Sequence, residues 1–327
     1  KIGLTISEIE GDAVLFYRFG KTPSPEEICA QVETMFCNFQ KKIKSYEVRR
    51  ACQCSACIAA VNLTLKIITH YGEFSTFNVN TYNKLIGKDV IIVHQLLKND
   101  IDVHEYWLVT NNLFNSISAN KIPDWMNWQQ GNKITDKGEV GFQYSMLSRL
   151  KEKVQPDALP DLGLGDNKIK LIGKSKIIDA QPISVLSIIG DFSLRTKWME
   201  GVTAVDMISH PINHVGVKHR NVSDKGSIIF YSSSFSQNSD SFFYSETDEK
   251  KTTEFYFTVK AIEGNKTLVT IDYYLKKDIF KQFYFSLFLK KKLAKQLAKS
   301  LDNLAQLSCE PGVGFMPAEK NKDDFVV

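Results

Sequence analysis

The sequence predicts an α+β protein built from two domains, and three observations support this prediction. The chain has 327 residues, which is enough for two domains of ordinary size. Residues 151–167 combine charges with two prolines and two glycines and show no apolar periodicity, which is typical of a linker. Helices and strands alternate before this linker, whereas a series of strands and then one long helix follow it. We therefore predict domains over residues 1–150 and 168–309, and a tail over residues 310–327.

Composition excludes several classes of protein. Hydrophobic residues make up 43% of the chain and charged residues 24%, as in ordinary globular proteins. The net charge of +4 is too small to indicate a nucleic-acid partner, and no apolar run approaches the roughly 20 residues of a membrane-spanning helix. Three of the six cysteines lie within "CQCSAC", which suits intracellular thiols or a metal site better than secreted disulfides. We predict a cytoplasmic protein without a transmembrane segment.

The first region predicts a sheet with helices on one covered face. Gly11-Asp12 indicates a turn that opens a strand, and Ser24 and Pro25 are an N-cap and a first helical position. Further segments predict elements in the order strand, helix, strand, strand. They are "NLTLKIITHYGEFSTFNV", "KDVIIVHQLLKND", "EYWLVT" and "GEVGFQYSML".

The second region predicts an antiparallel sheet and a long helix. "KIKLIGKSKII" alternates, which places Ile169, Leu171, Ser175 and Ile177 on one face of a half-buried strand and the lysines on the other. Several strands follow, and residues 263–265 form the hairpin loop between the last two. The final helix is predicted from Ile279 to about Leu307 because apolar residues recur at helical spacing. They are Phe280, Phe283, Leu287, Ala294, Leu297, Leu301 and Leu304.

Residues 5–150 resemble the catalytic domain of class III nucleotide cyclases. Five segments occur in that family's order: "EIEGDAVLFYRFG", "LKIITHYGEF", "KLIGKDVIIVHQLL", "EYWLVTNNL" and "DKGEVGFQYSML". The resemblance, which is to a bacterial group of cyclase-like proteins, implies a ferredoxin-like α/β sandwich whose first strand would precede residue 1. It also implies a two-fold homodimer.

The resemblance implies a degenerate cyclase site. Asp12 matches a metal aspartate that would hold Mg²⁺ or Mn²⁺, but the transition-state asparagine and arginine align with Ile91 and Gln95. Neither residue donates a charge-assisted bond to phosphate, and each lost donor costs roughly 3–4 kcal/mol of transition-state stabilisation. The purine-reading positions align with Glu8 and Lys84. We hypothesise that these two residues form an ion pair in a vestigial nucleotide pocket; the alternative is that both are solvated.

Residues 168–308 resemble the START and Bet v 1-like (SRPBCC) helix-grip fold, in which a curved antiparallel sheet surrounds a long C-terminal helix. "KWMEGVTAVDMI" is similar to that family's tryptophan-containing segment. The resemblance implies a cavity for a hydrophobic small molecule. Aromatic residues are predicted to line it, although filling a core is the commoner role of such side chains. They are Trp198, Phe230, Phe242, Phe255, Phe257, Tyr273 and Phe283.

Two groups of residues raise the question of a further metal site. Cys52, Cys54 and Cys57 form C-x-C-x-x-C, which could bind zinc if Cys37 or His70 supplied a fourth ligand; the alternative is a set of reduced thiols. The histidines of "HPINHVGVKH" lack the glutamate of a zinc-helix motif, so we interpret them as loop and strand residues.

The C-terminal helix is strongly basic. Residues 276–299 contain eight lysines but a single acidic residue, Asp278. Such a helix can contact an anionic membrane, but its apolar stripe is needed to cover the sheet, so we favour a solvated cationic face.

We therefore predict a binding or sensing protein rather than an enzyme. In this prediction, a degenerate cyclase-like domain precedes a domain that binds a hydrophobic ligand. The alternative is an active, metal-dependent cyclase that converts ATP or GTP to a cyclic nucleotide and is regulated by the C-terminal domain.

Overall fold

The chain divides into two compact units. The computed structural model describes residues 2–51, 55–79, 82–117, 123, 125–209 and 213–310. The first unit contains residues 1–44 and 63–157, and the second contains residues 45–62 and 158–327. Helices and antiparallel sheets occur in both units, so the predicted α+β class is confirmed. None of the helices in the described ranges is long and apolar enough to cross a membrane.

Local sequence signals determine the start of the first unit. Strands β1 (Thr5–Glu10) and β2 (Ala13–Tyr17) form the predicted hairpin, in which Gly11 has a φ of 59°. Helix α1 (Pro25–Arg49) begins with a capping box. The Glu27 N–H donates to Ser24 Oγ over 3.3 Å, and the Ser24 N–H donates to Glu27 Oε2 over 2.9 Å.

A four-stranded sheet forms the centre of the first unit, in the order β3-β6-β8-β7, with β3 and β6 parallel. The remaining elements of this unit are β3 (Ile67–Thr69), β4 (Ser75–Val79), β5 (Tyr82–Ile86), α3 (Lys88–Leu96), β6 (Tyr106–Thr110), α4 (Asn111–Ile117), β7 (Gln129–Thr135) and β8 (Gly138–Met146). The label α2 belongs to a short helix of the second unit, Ser55–Ala59.

Strand β6 is buried on both faces, which differs from the single covered face that we predicted. Trp107 and Val109 pack with residues of α1, whereas Tyr106 and Leu108 pack with Ile92 and other residues of α3. Side chains alternate along a strand, so helices on opposite faces require a continuous apolar run such as "YWLV". The cyclase-type sandwich remains a prediction.

The second unit contains a seven-stranded antiparallel sheet in the order β10-β11-β12-β13-β14-β15-β9. The elements are β9 (Lys168–Ile178), α5 (Pro182–Gly190), α6 (Arg195–Trp198), β10 (Ala204–Met207), β11 (Lys218–Ser223), β12 (Gly226–Gln237), β13 (Ser241–Asp248), β14 (Thr253–Ile262), β15 (Lys266–Lys276), α7 (Ile279–Tyr284) and α8 (Lys290–Ser308). The predicted hairpin joins β14 to β15, and Gly264 and Asn265 have φ values of 79° and 60°.

The core of the second unit lies between the sheet and α8. Leu297, Leu301 and Leu304 of this helix pack in one cluster with inward-facing residues of β14 and β15, such as Phe257 and Ile271. A sheet that packs against a long C-terminal helix is consistent with a helix-grip fold.

The orientation that we predicted for β9 is wrong. Ile177 is exposed, whereas Ile172 and Ile178 are buried, and Lys176 donates to Asp302 of α8 over 2.7 Å. Residues 170 and 172 pair with successive residues of β15, so Leu171 is an extra residue that shifts the register between the two strands. This bulge moves the later side chains to the opposite face from the one that simple alternation predicts.

The C-terminal helix is interrupted where the sequence predicts continuity. A π-helical turn, Phe285–Leu289, separates α7 from α8. Because a π turn inserts an extra residue, apolar positions on either side of it do not share one face. Phe280, Phe283 and Leu287 are therefore exposed, at 88%, 68% and 60% of their full accessible surface.

Candidate functional site

The residues that align with a cyclase site by resemblance lie on β1, the β1–β2 turn, β5 and α3 of the first unit. Asp12 lies at the exposed tip of the β1–β2 hairpin. No cluster of three or more His, Cys, Asp or Glu side chains suited to a metal ion occurs in the described part of the chain. Mg²⁺ or Mn²⁺ at Asp12 therefore remains a prediction.

The ion pair that we predicted between Glu8 and Lys84 does not form. Glu8 Oε1 lies 3.4 Å from Nε2 of His94 on α3, and Lys84 is exposed on β5. Among the described residues, no carboxylate oxygen lies within 4.0 Å of the Lys84 ammonium. The Glu8 carboxylate instead links β1 to α3, so the contact on which the ion-pair hypothesis depends is not present.

Ile91 and Gln95, which we predicted to stand in place of transition-state residues, both lie on α3. The Gln95 side-chain amide donates to Asp136 Oδ2 over 2.6 Å, and Gln95 Oε1 accepts from the Asp136 N–H. These bonds join α3 to the β7–β8 turn. Ile91 is exposed on the same helix. Gln95 therefore acts as a structural link.

The proposed zinc ligands are only partly visible. Cys52 and Cys54 lie outside the described residues, whereas Cys57 is buried at the end of the sequence motif. Burial, with a contribution from Glu33, raises the pKa of Cys37, which disfavours the thiolate that a metal requires. Both ring nitrogens of His70 are engaged by other side chains. The zinc site remains a prediction.

His70 joins three elements of the first unit. Its Nδ1 lies 2.7 Å from Thr110 Oγ1 and its Nε2 lies 2.8 Å from Asp89 Oδ1, while Asp89 Oδ2 accepts from the Glu73 N–H. Burial opposes ionisation of Asp89, but the bonds from His70 and Glu73 lower its pKa. Thr110 is 1% exposed. The chain Thr110–His70–Asp89 resembles a catalytic triad in order, but a substrate cannot reach this hydroxyl, so we assign it a structural role.

Gly72 is required for this arrangement, which gives a testable prediction. A Cβ at Gly72 would lie 2.3 Å from Asp89 Cγ. We expect Gly72→Ala to displace the carboxylate and to lower the free energy of unfolding of the first unit by about 1–3 kcal/mol, the cost of leaving buried partners unbonded. Chemical denaturation followed by tryptophan fluorescence measures this loss. In an Asp89→Gly background, which removes the three side-chain atoms nearest to the new Cβ, Gly72→Ala should cost almost nothing. An equal cost in both backgrounds would contradict the explanation.

Most aromatic residues predicted to line a cavity pack in the core of the second unit. Trp198, Phe230, Phe255 and Phe257 are buried in one cluster, and Phe242 is partly buried against it. The rings of Trp198 and Phe257 lie 6.3 Å apart in an edge-to-face arrangement. Phe283 is exposed and lies outside this cluster.

An open apolar groove lies between β15 and the segment Ile279–Leu289. Its volume is about 350 Å³. It is lined by Tyr273, Leu275, Phe280, Lys281, Tyr284, Phe285 and Leu289. Tyr273 stacks on Phe285 with centroids 5.3 Å apart, and Phe255 contacts Tyr273 on its inner side at 5.1 Å. The floor of the groove is therefore continuous with the aromatic core. Burial raises the pKa of the Tyr273 hydroxyl to about 12.

A buried ion pair lies inside the second unit. The Arg195 guanidinium donates to both oxygens of Glu246 over 3.0 and 2.5 Å, and neither side chain is exposed. The Tyr244 hydroxyl donates to Glu246 Oε1 over 2.8 Å and is 2.8 Å from Ser232 Oγ, which donates to Asn213. Burial disfavours both charges, but the mutual attraction lowers the pKa of Glu246 and raises that of Arg195. The pair is therefore ionised.

His219 lies beside this pair without hydrogen bonds of its own. Its ring stacks on Phe192 at 4.1 Å, and neither ring nitrogen has a hydrogen-bond partner among the described residues. Nε2 is 3.8 Å from Glu246 Oε2. Burial and the repulsion of Arg195 outweigh the attraction of Glu246 and lower the pKa of His219 to about 4. The imidazole is therefore neutral at neutral pH.

Sequence reasoning missed the network of Arg195, Tyr244 and Glu246. The strand "SFFYSETD" ends in four consecutive polar residues, Ser245–Asp248, and polar residues on a strand usually face solvent. The available signal was "LRTKW", in which an arginine precedes a core tryptophan by three residues and therefore shares its helix face. His219 is a strand histidine, as we interpreted it.

Comparisons with known proteins match the first part of the chain in sequence. The sequence model of a family described as "Protein of unknown function (DUF2652)" matches residues 1–106. The uncharacterised protein Rv2561/Rv2562 of Mycobacterium tuberculosis is 32% identical over 109 residues, which are 33% of this chain and 51% of that protein. The chain thus spans about half the length of this curated relative. The groove and the buried ion pair lie outside the family match.

Solved structures give partial likenesses at low sequence identity. A hypothetical protein from Helicobacter pylori, jhp0584, is 12% identical, with a TM-score of 0.37 over 44% of this chain and 88% of that chain. A START superfamily protein from Mycobacterium smegmatis is 14% identical, with a TM-score of 0.30 over 41% of this chain and 96% of that chain.

Proposed function

We propose that the second unit binds an apolar small molecule in the groove between β15 and the segment Ile279–Leu289. The observation behind this proposal is the groove itself. Its volume of about 350 Å³ lies at the lower end of the range for small-molecule sites, and its lining is almost wholly apolar. Only Lys281 contributes a charge, which would suit a ligand with an acidic end group.

The ligand would contact the floor formed by Tyr273 and Phe285. Their rings are nearly parallel, at 21°, and present a flat apolar surface. Phe280 and Tyr284 form a wall that is largely exposed to water when no ligand is present. Covering such aromatic surface stabilises a complex because it removes apolar area from water.

Fluorescence titration of the full chain with anilinonaphthalene sulfonate tests this proposal. We expect Phe280→Ala/Tyr284→Ala to weaken binding of this apolar anion about tenfold, because the aromatic wall of the groove is lost. Phe283→Ala/Leu287→Ala is the matched control, since it removes two exposed apolar side chains of the same segment that do not line the groove. Equal weakening by both pairs would contradict a groove-specific site. Native mass spectrometry would identify a molecule that co-purifies.

A further inference from the structure

The segment Ile279–Leu289 exposes far more apolar surface than the core of the second unit requires. Within it, only Phe285 is buried. The large apolar side chains that face solvent are Ile279, Phe280, Phe283, Tyr284, Leu287, Phe288 and Leu289. Contiguous apolar surface of this kind is rare on soluble monomers and marks an interaction site. We call these residues the aromatic segment.

Positive charge surrounds the aromatic segment. Lys276 and Lys277 precede it, Lys281 lies within it, and Lys290, Lys291 and Lys292 follow it directly and are exposed. Asp278 is the single acidic residue from Lys276 to Lys292. An apolar helix with this flanking charge fits a surface that is apolar within and negatively charged at its boundary.

A second element adds to this charge. Close contact with Lys225, in the turn between β11 and β12, and repulsion from its positive charge lower the pKa of Lys292. Two ammonium groups held this close favour an anion between them, and a lipid phosphate supplies one.

We propose that the aromatic segment docks the protein on an anionic lipid surface, with Phe283, Leu287 and Phe288 inserted among the acyl chains and Lys290–Lys292 at the phosphate groups. No helix in the described ranges could span the bilayer, so the segment would lie in the interface. This inference goes beyond the proposed function and does not depend on it, because these three apolar residues do not line the groove.

Vesicle co-sedimentation of the full chain tests the proposal. We expect binding to phosphatidylcholine vesicles that contain phosphatidylglycerol and little binding to phosphatidylcholine alone. Lys290→Gln/Lys291→Gln/Lys292→Gln should weaken binding about 100-fold. Phe283→Ser/Leu287→Ser/Phe288→Ser should weaken it at least about tenfold. Raised salt should weaken wild-type binding, since exposed charges are screened.

Matched controls use exposed residues elsewhere in the chain. Ile134→Ser/Ile177→Ser/Ile228→Ser and Lys137→Gln/Lys250→Gln/Lys266→Gln remove the same numbers of exposed apolar and basic side chains. Both should bind like wild type. Equal loss in a control and a test variant, or no wild-type binding to anionic vesicles, would overturn the proposal.

Two further readouts separate insertion from self-association. In Phe288→Trp, the added fluorescence should shift to shorter wavelength on vesicle binding if this position enters the acyl region. An unshifted spectrum would overturn insertion. In sedimentation velocity, a wild-type dimer that becomes monomeric in the Phe283→Ser/Leu287→Ser/Phe288→Ser variant would assign the segment to a contact between two copies and overturn the lipid proposal.

Discussion

Glu246→Leu is expected to lower the free energy of unfolding of the second unit by about 3–5 kcal/mol, because it leaves the Arg195 guanidinium charged and unpaired in the core. Arg195 is not exposed, and its remaining contacts are a carbonyl, a methionine sulfur and aromatic faces. None of these replaces a carboxylate. Arg195→Met should cost a similar amount, since Glu246 would keep only the Tyr244 hydroxyl as a close donor.

The double variant Arg195→Met/Glu246→Leu should recover most of the loss. Replacing a buried pair by apolar side chains of similar volume is often neutral or stabilising, because no charge then needs to be desolvated. Hydrogen exchange of β13–β15 peptides in the full chain, measured by mass spectrometry, reports the stability of this unit separately. A double variant as unstable as the sum of the two single variants would show that the pair is not coupled.

An exposed ion pair of the same sheet provides the control. Arg220 Nη1 and Asp206 Oδ2 lie 3.4 Å apart between β11 and β10, with both side chains substantially exposed. Asp206→Asn should change stability by less than about 1 kcal/mol because water solvates either partner alone. A large effect at this surface pair would mean that burial is not the cause of the loss at Glu246.

Features that depend on short stretches of chain could be predicted from the sequence. The start of α1 is one such feature, because the side chains of Ser24 and Glu27 each accept a hydrogen bond from the backbone N–H of the other residue. The β14–β15 hairpin is another, because Gly264 and Asn265 tolerate positive φ. The class of the fold follows from the order of such local elements.

Features that depend on distant partners could not be predicted. The bulge in β9 depends on its pairing with β15. The adjacent Leu171 and Ile172, with Gly173, interrupt the alternation of "KIKLIGKSKII", but they do not fix which residue is the extra one. The burial of Glu246 could not be predicted because its partner Arg195 lies 51 residues away in the sequence. Helical spacing likewise places Phe283 and Leu301 on one stripe, but it does not reveal the π-helical turn that separates them. The groove and the aromatic segment both lie at that turn and the helix before it.

The stability of the second unit is expected to fall with acidification because His219 resists protonation when folded. Burial, with repulsion from Arg195, lowers its pKa from 6.5 to about 4, against the attraction of Glu246. Above pH 6.5 the ring is neutral in both states and the full stability is present. Below pH 6.5 the imidazole is protonated in the unfolded chain but stays neutral in the folded state, so stability is lost as pH falls from 6.5 towards 4. A shift of this size corresponds to about 3 kcal/mol.

His219→Phe and His219→Gln separate this titration from packing. Both remove the ionisable ring, so the difference in unfolding free energy between wild type and either variant should change by about 3 kcal/mol across that pH window. Only phenylalanine preserves the stacking on Phe192, and it removes two buried nitrogens that lack partners. At neutral pH His219→Phe should therefore remain within about 1.5 kcal/mol of wild type, whereas His219→Gln should be less stable.

Hydrogen exchange of β11–β13 peptides in the full chain at several pH values measures these differences. Glu246 also faces this ring, but the stability from its lowered pKa is lost only as the pH falls from the range in which a carboxylate of the unfolded chain titrates to the lower pKa of the folded state. The interval just below pH 6.5 therefore isolates the histidine. A wild-type minus His219→Phe difference that does not vary with pH would show that the folded ring takes up its proton in the same pH range as the unfolded one. A charge would then lie between Arg195 and Glu246, and the ion pair would need a different account.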